Sequence, residues 1–222
     1  MNNSVAPQVI VSTVLLTLED GELRVVLAPG EADVDTSGLG LFDERIEGNE
    51  DLDLEEMVRQ SLERRATVTD AYIEQLETFS GVVHGVPERQ TVQVCYIALA
   101  PEAIVATALQ RSTKLQTSSV DALPSLPYHG NAAVLAAVAH LRNVGQWSIM
   151  PAHLLPREFT ISQLNAAYDA VVGTTSFGAN FRQKILRTDV LVPVGARHTV
   201  GATKKSEHYS IRPGSFDTGI RL

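Results

Sequence analysis

The sequence has a single cysteine, Cys95, which excludes an intramolecular disulfide and any metal site made only of cysteines. It has no apolar run near the ~20 residues that a membrane-spanning helix needs. Its first residues carry neither the basic nor the apolar region of a secretory signal. We therefore expect a cytoplasmic protein without a membrane partner, in which Cys95 is a buried, inert thiol on a strand.

Several catalytic motifs are also missing. The six histidines show no HxxxH or HxH spacing, and no G-x-S-x-G or G-x-x-x-x-G-K-[ST] segment occurs. These are patterns by which a zinc site, a nucleophilic serine and a phosphate-binding loop are recognised. We accordingly expect no metal site, no catalytic residues and no cofactor.

Charge is distributed unevenly along a chain of otherwise ordinary composition, which is 44% hydrophobic and 20% charged. Residues 1–150 hold 21 of the 26 Asp+Glu but only 9 of the 18 Lys+Arg, so the remainder is net basic although the whole chain carries −8. This asymmetry indicates two units, of which the second faces an anionic partner.

The acidic part has the pattern of a mixed α/β domain. Apolar and β-branched segments predict four strands, at 9–18, 22–28, 72–79 and 91–99. The Asp20-Gly21 pair predicts a hairpin turn between the first two strands. Apolar residues at three- and four-residue spacing predict a helix at 51–66. An alanine-rich stretch predicts another at 131–141. The glycine- and proline-containing stretch at 29–50 is predicted to be a loop.

We place the domain boundary where the charge changes sign and prolines accumulate. This gives a first domain at 1–145, a linker at 146–157 and a second domain at 158–222. Thr160 and Gln163 form the signature of a capping box at the start of a helix, and Gly173 suits its end. A second helix follows at 178–188, with its apolar side made by Phe177, Phe181, Ile185 and Leu186. Strands at 190–194 and 207–212 then flank a loop at 195–206.

Two helices followed by a β-hairpin is the order of a winged helix-turn-helix, whose second helix enters the major groove of DNA. The alternative is that this helix and hairpin pack on a partner domain and that their basic residues are simply solvated. We expect the polar and basic residues of the second helix and of the wing loop to contact DNA. These residues are Asn180, Arg182, Gln183, Lys184, Arg187, Arg197, His198, Thr203, Lys204 and Lys205.

Residues 39–68 resemble a Nudix box, the metal-binding loop and helix of diphosphate hydrolases. Read in that register, 60–68 keeps the two apolar positions but not the acidic ones. Ser61 stands for the first glutamate, Arg64 and Arg65 for the glutamate pair, and Thr67 for the glycine. Because Mg²⁺ requires anionic oxygen ligands and guanidinium groups repel it, the resemblance implies a catalytically silent box. Arginine still pairs with phosphate, so an anionic ligand could bind there uncleaved.

A more specific resemblance covers nearly the whole chain. The segments 72–79, 91–99, 154–160 and 180–186 are similar, in this order, to the NrtR family of Nudix-related transcriptional regulators. The resemblance implies a Nudix-like α/β/α sandwich followed by a winged helix-turn-helix domain. It also implies a homodimer that acts as a repressor on a palindromic double-stranded DNA operator of NAD-metabolism genes. ADP-ribose or NAD would be the nucleotide effector.

By the same resemblance, seven residues are candidates for effector binding: Arg45, Arg64, Glu74, Gln75, Phe79, Gln93 and Tyr96. The chain departs from the family pattern ahead of the box, where Leu39-Gly40-Leu41-Phe42 replaces Pro-Gly-Gly-Phe. Two other classes stay open. One is a weak Nudix-type hydrolase of ADP-ribose-like diphosphates, and the other is a metabolite-binding protein whose basic domain contacts RNA or protein.

Overall fold

The computed structural model describes residues 7–30, 38–46, 53–82, 90–173, 180–198 and 205–215, and all structural statements below concern these residues. The chain divides into two compact units. The first comprises Met1–Thr17 with Arg24–Val138, and the second comprises Leu18–Leu23 with Ala139–Leu222.

A mixed sheet forms the centre of the first unit. Its strands in the described ranges are β1 (Gln8–Glu19), β2 (Glu22–Pro29), β3 (Leu39–Gly40), β4 (Phe42–Arg45), β5 (Tyr72–Val82), β6 (Gln90–Leu99) and β7 (Gln116–Ser119). The main path runs β3-β2-β1-β6-β5, with β4 paired to β1 and β7 paired to β2. Strand β1 is parallel to β6 and antiparallel to β4. It is buried along most of its length, as a central strand covered on both faces should be.

Helices α1 (Leu54–Ala66) and α2 (Glu102–Arg111) lie in this unit, and α3 (Gly130–Gly145) begins in it and continues into the second unit. Helix α1 begins after Asp53, whose carboxylate accepts hydrogen bonds from the backbone N–H groups of Glu55 and Glu56. Its Val58 and Leu62 are buried in one core cluster with residues of β1, β4 and β6. The packing of this amphipathic face fixes α1 against one side of the sheet.

The predicted strands and helices of this unit are present, with small shifts at their ends. Asp20 and Gly21 have φ of 52° and 78°, which confirms the hairpin turn. The prediction of a loop throughout 29–50 was wrong, because β3 and β4 lie there. These strands have only two and four residues, and their pairing with β2 and β1 depends on distant parts of the chain. Helix α2 and strand β7 were not predicted.

The second unit consists of a 3-10 helix (Met150–Leu154), α4 (Ile161–Val172), α5 (Phe181–Arg187) and a hairpin of β8 (Leu191–His198) and β9 (Lys205–Ile211). The capping box of Thr160 and Gln163 is confirmed, with both reciprocal hydrogen bonds present. Tyr168 of α4 is fully buried. Its hydroxyl donates to the Ser148 carbonyl at 2.6 Å, and its ring lies 5.3 Å from that of Phe181.

Three details of the second unit differ from the sequence predictions. Leu186 does not join the apolar side of α5; it is 40% exposed, whereas Phe181 and Ile185 are buried. The hairpin strands extend into the predicted loop, to His198 on one side and from Lys205 on the other. Within the predicted linker, the 3-10 helix is mostly buried, and its Ala152 belongs to the core cluster of this unit. Phe177 lies outside the described residues, and the domain boundary stays a prediction.

Candidate DNA-binding surface and candidate ligand site

Helix α5 separates its apolar residues from its polar ones. Phe181 and Ile185 face the core, and the other side carries four exposed polar or basic residues that were predicted to contact DNA: Arg182, Gln183, Lys184 and Arg187. Asn180, also exposed, precedes the helix and makes no side-chain capping bond. The structure therefore brings the five predicted residues of this helix together on one accessible surface. These five side chains offer hydrogen-bond donors and amide groups, which suit an anionic polymer.

The predicted wing residues are placed less uniformly. Arg197 lies on β8 and forms an ion pair with Glu158, a residue that the sequence reasoning missed. Lys205 is exposed at the start of β9, and His198 ends β8 as its register partner. Thr203 and Lys204 lie outside the described residues.

A second ion pair joins the two ends of the hairpin. Arg212, just after β9, donates to the Asp189 carboxylate and carbonyl at 2.7 Å each. Asp189 itself has a left-handed backbone, with φ of 57°. Both partners are partly or largely exposed, so the pair contributes little to stability.

In the first unit, the serine and arginines that the resemblance aligns with the Nudix-box glutamates surround one carboxylate. Glu44 of β4 accepts a hydrogen bond from Ser61 at 2.6 Å and another from Arg64 at 2.6 Å, and Arg65 lies 3.8 Å from the same oxygen. The serine and arginines that replace the box glutamates thus bind an acid supplied by β4. Glu44 of β4 is thereby held by three side chains of α1.

Arg65 is held by more contacts than its neighbour. Its guanidinium donates to the carbonyls of Asp43 and Pro29 at 3.1 and 3.0 Å, and it lies 5.4 Å above the centre of the Phe42 ring. Arg64 has only the bond to Glu44 among its described contacts, and its side chain is 61% exposed. Arg65 therefore joins α1 to β4, whereas Arg64 is the arginine that a solvent-borne anion can reach.

Helix α1 ends at a strained residue. Thr67 occupies the box's glycine position and has φ of 57° and ψ of 30°, the left-handed conformation that glycine adopts without penalty. Its N–H donates to the Glu63 carbonyl at 2.8 Å, as a helix cap requires. Thr67 therefore holds a backbone conformation that glycine would adopt with less strain.

A chain of buried polar groups crosses the other face of the sheet. The His129 N–H donates to Gln93 Oε1 at 3.0 Å, and Gln93 Nε2 donates to Ser12 Oγ at 2.7 Å. Ser12 in turn donates to the carboxylate of Asp43. Burial raises the pKa of Asp43 to about 6, although the Ser12 hydrogen bond and the nearby Arg65 charge oppose the rise. Both ends of the fully buried Gln93 amide are thereby used within the protein.

The seven predicted effector residues fall on two faces of the sheet. Strand register places Arg45, Gln93 and Phe79 in one row across β4, β1, β6 and β5, and Glu74 projects from the same face. Gln75 and Tyr96 are register partners on the opposite face, on which α1 with Arg64 packs. The structure therefore brings three of the candidates into one row, places Glu74 on the same face but beside a position four residues further along β6, and leaves the other three on the opposite face.

Two aromatic residues that the sequence reasoning missed complete the first of these groups. The His129 ring stacks on Phe79 with centroids 5.7 Å apart, and Arg45 donates to the Tyr128 hydroxyl at 3.2 Å. Tyr128 has φ of 55°, an unusual conformation for a bulky residue. Both residues lie just before α3 and meet β4 and β5 only in the folded chain, so the sequence carried no local signal for these contacts. We name Arg45, Phe79, Gln93, Tyr128 and His129 the aromatic cluster.

Other features of the first unit offer less to a ligand. A pocket of about 200 Å³ beside α1 is lined by charged and polar residues that include Glu56, Arg59 and Glu63. It contains none of the predicted effector residues and is smaller than the ~300 Å³ at which small-molecule sites begin. Cys95 is buried as predicted, and burial raises its thiol pKa to about 12. Across the described ranges, no three His, Cys, Asp or Glu side chains group as metal ligands would.

These features define a class of protein: a Nudix-type α/β domain with a substituted box, followed by a winged helix domain. Residues 151–211 match the model of the NrtR DNA-binding winged helix domain, which confirms the assignment of this part of the chain. No curated protein matches the sequence. None of the helices in the described ranges has the length and apolar character needed to cross a bilayer.

The fold of the whole chain is similar to that of NrtR from Shewanella oneidensis. In its crystal structure with a 27-mer DNA, that protein shares 24% sequence identity with this chain, and the TM-score is 0.83 over 96% of this chain and 97% of that chain. Its structure without DNA is 23% identical, with a TM-score of 0.82 over 96% and 98%. A MutT/Nudix family protein from Enterococcus faecalis is 16% identical, with a TM-score of 0.66 over 94% and 89%. The predicted fold, a Nudix-like domain followed by a winged helix, is confirmed.

Proposed function

We propose that this chain is a transcriptional repressor that binds a palindromic DNA operator as a homodimer and senses a nucleotide metabolite with its Nudix-like domain. The observation that carries the proposal is the exposed basic and amide-bearing side of α5 within a domain of the NrtR winged helix type. An α-helix about 10–12 Å wide fits the ~12 Å major groove of B-DNA, and the side chains of α5 supply donors for bases and phosphates.

The substituted Nudix box supports a binding role for the first unit in preference to a hydrolytic one. Metal-assisted diphosphate hydrolysis requires carboxylates that hold a divalent cation against the substrate. Here Ser61, Arg64 and Arg65 occupy the box's acidic positions and bind Glu44, so a cation would meet two guanidinium groups at close range. We infer that this protein binds its nucleotide without cleaving it.

The aromatic cluster is the part of the first unit that we propose to hold the nucleotide. The stacked Phe79 and His129 rings offer a flat surface for a base, and Arg45 offers a cation for a phosphate. ADP-ribose and NAD combine these two features, and genes of NAD metabolism are the proposed targets. Binding would favour one dimer geometry over another and so change how well the two α5 helices match the operator half-sites.

The DNA-binding proposal is tested by fluorescence anisotropy of the full chain on labelled DNA from upstream of its own gene, at one stated salt concentration. Arg182→Ala or Lys184→Ala is expected to weaken specific binding by about 1–3 kcal/mol where the side chain contacts a base edge. Arg111→Ala on α2 is the matched control, because it removes an exposed arginine from a helix of the other unit. Equal losses for Arg111→Ala and Arg182→Ala would contradict the placement of the DNA surface on α5.

The ligand proposal is tested by repeating the titration with ADP-ribose, NAD or ATP. We expect ADP-ribose or NAD to change operator affinity, and Phe79→Ala to abolish that response while operator binding without ligand is unchanged. Product formation from ADP-ribose with Mg²⁺ is measured in parallel. Turnover by the wild-type chain would favour the hydrolase alternative and contradict the binding role.

A further inference from the structure

Leu186 is an exposed apolar residue on a helix whose other exposed residues are polar. Its side chain is 40% exposed, and α5 keeps Phe181 and Ile185 for the core. A single leucine on a protein surface needs no explanation by itself. The position of this leucine does call for one, because it lies within the side of α5 that carries the predicted DNA contacts.

Helical geometry gives the neighbours of Leu186. Residues three and four apart share a helix face, so Leu186 lies beside Gln183 and Arg182. Successive residues are separated by about 100° around the axis, which places Leu186 about 40° from Arg182 and about 60° from Gln183. Ile185 lies about 100° away, toward the core. Leu186 is therefore part of the surface formed by the arginine and the glutamine.

The DNA groove that α5 can enter determines what this leucine meets. A helix of about 10–12 Å fits the major groove but is too wide for the minor groove of ~6 Å, so intercalation from the minor-groove side does not apply. In the major groove the bases present donors, acceptors and one apolar group, the C5-methyl of thymine. Arginine and glutamine match the polar edges of guanine and adenine, and leucine matches the methyl group.

We propose that Leu186 recognises a thymine in each operator half-site through contact with its C5-methyl group. The inference rests on the proposed DNA-binding function and adds to it a specificity-determining residue. The methyl contact then belongs to α5. A base pair that lacks the methyl group should bind more weakly, even when all its hydrogen bonds are kept.

The test uses deoxyuridine, which pairs as thymidine does but lacks the methyl group. Each thymine of the operator is replaced in turn, and the affinity of the full-length wild-type chain is measured by anisotropy. Loss of one buried methyl contact is expected to weaken binding about fourfold at one symmetric position in each half-site. Leu186→Ala is expected to bind the thymine and uracil operators equally, and Leu186→Met, which keeps an apolar side chain, to retain the discrimination.

Two results would overturn the inference while leaving the proposed function intact. One is specific binding by the wild-type chain that is indifferent to every thymine-to-uracil replacement. The other is a Leu186→Ala chain that keeps the full discrimination of the wild type. Arg182→Ala is the control, because it should weaken binding and still distinguish thymine from uracil. Absence of specific binding to any operator fragment would instead overturn the proposed function, and this inference with it.

Discussion

Replacement of Thr67 by glycine is expected to stabilise the Nudix-like unit, although glycine usually destabilises a folded chain. Thr67 caps α1 in the left-handed region, with φ of 57°, and its side chain is exposed. A β-branched residue there costs about 1–2 kcal/mol relative to glycine. Glycine adds about 0.5–1 kcal/mol of chain entropy to the unfolded state. The two effects leave a net stabilisation of about 0.5–1 kcal/mol.

Thr69 provides a matched control two residues away. It is also an exposed threonine, but its backbone is not left-handed, so glycine has no strain to relieve there. Thr69→Gly is therefore expected to destabilise the unit by about 0.5–1 kcal/mol through the unfolded-state entropy alone. The two variants change the same type of side chain to glycine, and the changes in stability are expected to have opposite signs.

Native-state amide hydrogen exchange on the full chain measures both effects. The most slowly exchanging amides of β1 and α1 report the free energy of opening of the first unit, and the measurement does not require the second unit to be removed. The expected result is slower exchange in Thr67→Gly and faster exchange in Thr69→Gly. Faster exchange in both variants would refute the claim that Thr67 is strained at the end of α1.

Three further predictions follow from the charged contacts. Glu44→Ala should destabilise α1 by about 1–3 kcal/mol in hydrogen exchange, because the buried Ser61 hydroxyl loses its acceptor. Glu44→Gln should cost less. Equal stability of the wild type and both variants would contradict the role of Glu44 as the acceptor for Ser61. Because the pKa of Asp43 is about 6 in the folded chain and near 3.8 when unfolded, this group stabilises the fold below about pH 4, and the contribution is lost as the pH rises through 6. Urea titrations should show it as a slope over pH 4–6 that Asp43→Asn removes, and an unchanged slope would refute it. Glu158→Gln should release Arg197 from its ion pair and strengthen DNA binding, and the slope of log affinity against log salt concentration should become steeper by about one. Unchanged affinity would mean that Arg197 does not reach a phosphate.

The elements that were predicted correctly carry their signal locally. The β-branched run of β1, the Asp20-Gly21 turn and the capping box of Thr160 and Gln163 each depend on residues within a few positions of one another. Strands β3 and β4 were missed because such short segments become strands only when distant partners pair with them. Leu186 was assigned to the core because helical spacing gives the side of a helix only approximately.

The candidate site shows the same division. Ser61, Arg64 and Arg65 were visible in the sequence, and the prediction that the box holds no metal rests on their charge. Their partner Glu44 was not visible, because it comes from a strand that the sequence did not reveal. Likewise, neither the Glu158 partner of Arg197 nor the stacking of His129 on Phe79 has a local signature, since each joins residues brought together only by the fold.

The central claim is that α5 binds specific DNA and that a nucleotide bound by the Nudix-like unit changes this binding. The most direct measurement is an anisotropy titration of the full chain on DNA from upstream of its own gene, with and without ADP-ribose or NAD at fixed salt. We expect sequence-specific binding that one of these nucleotides alters and that Arg182→Ala weakens by about 1–3 kcal/mol. Binding that is equal on all sequences and indifferent to both nucleotides would contradict this claim.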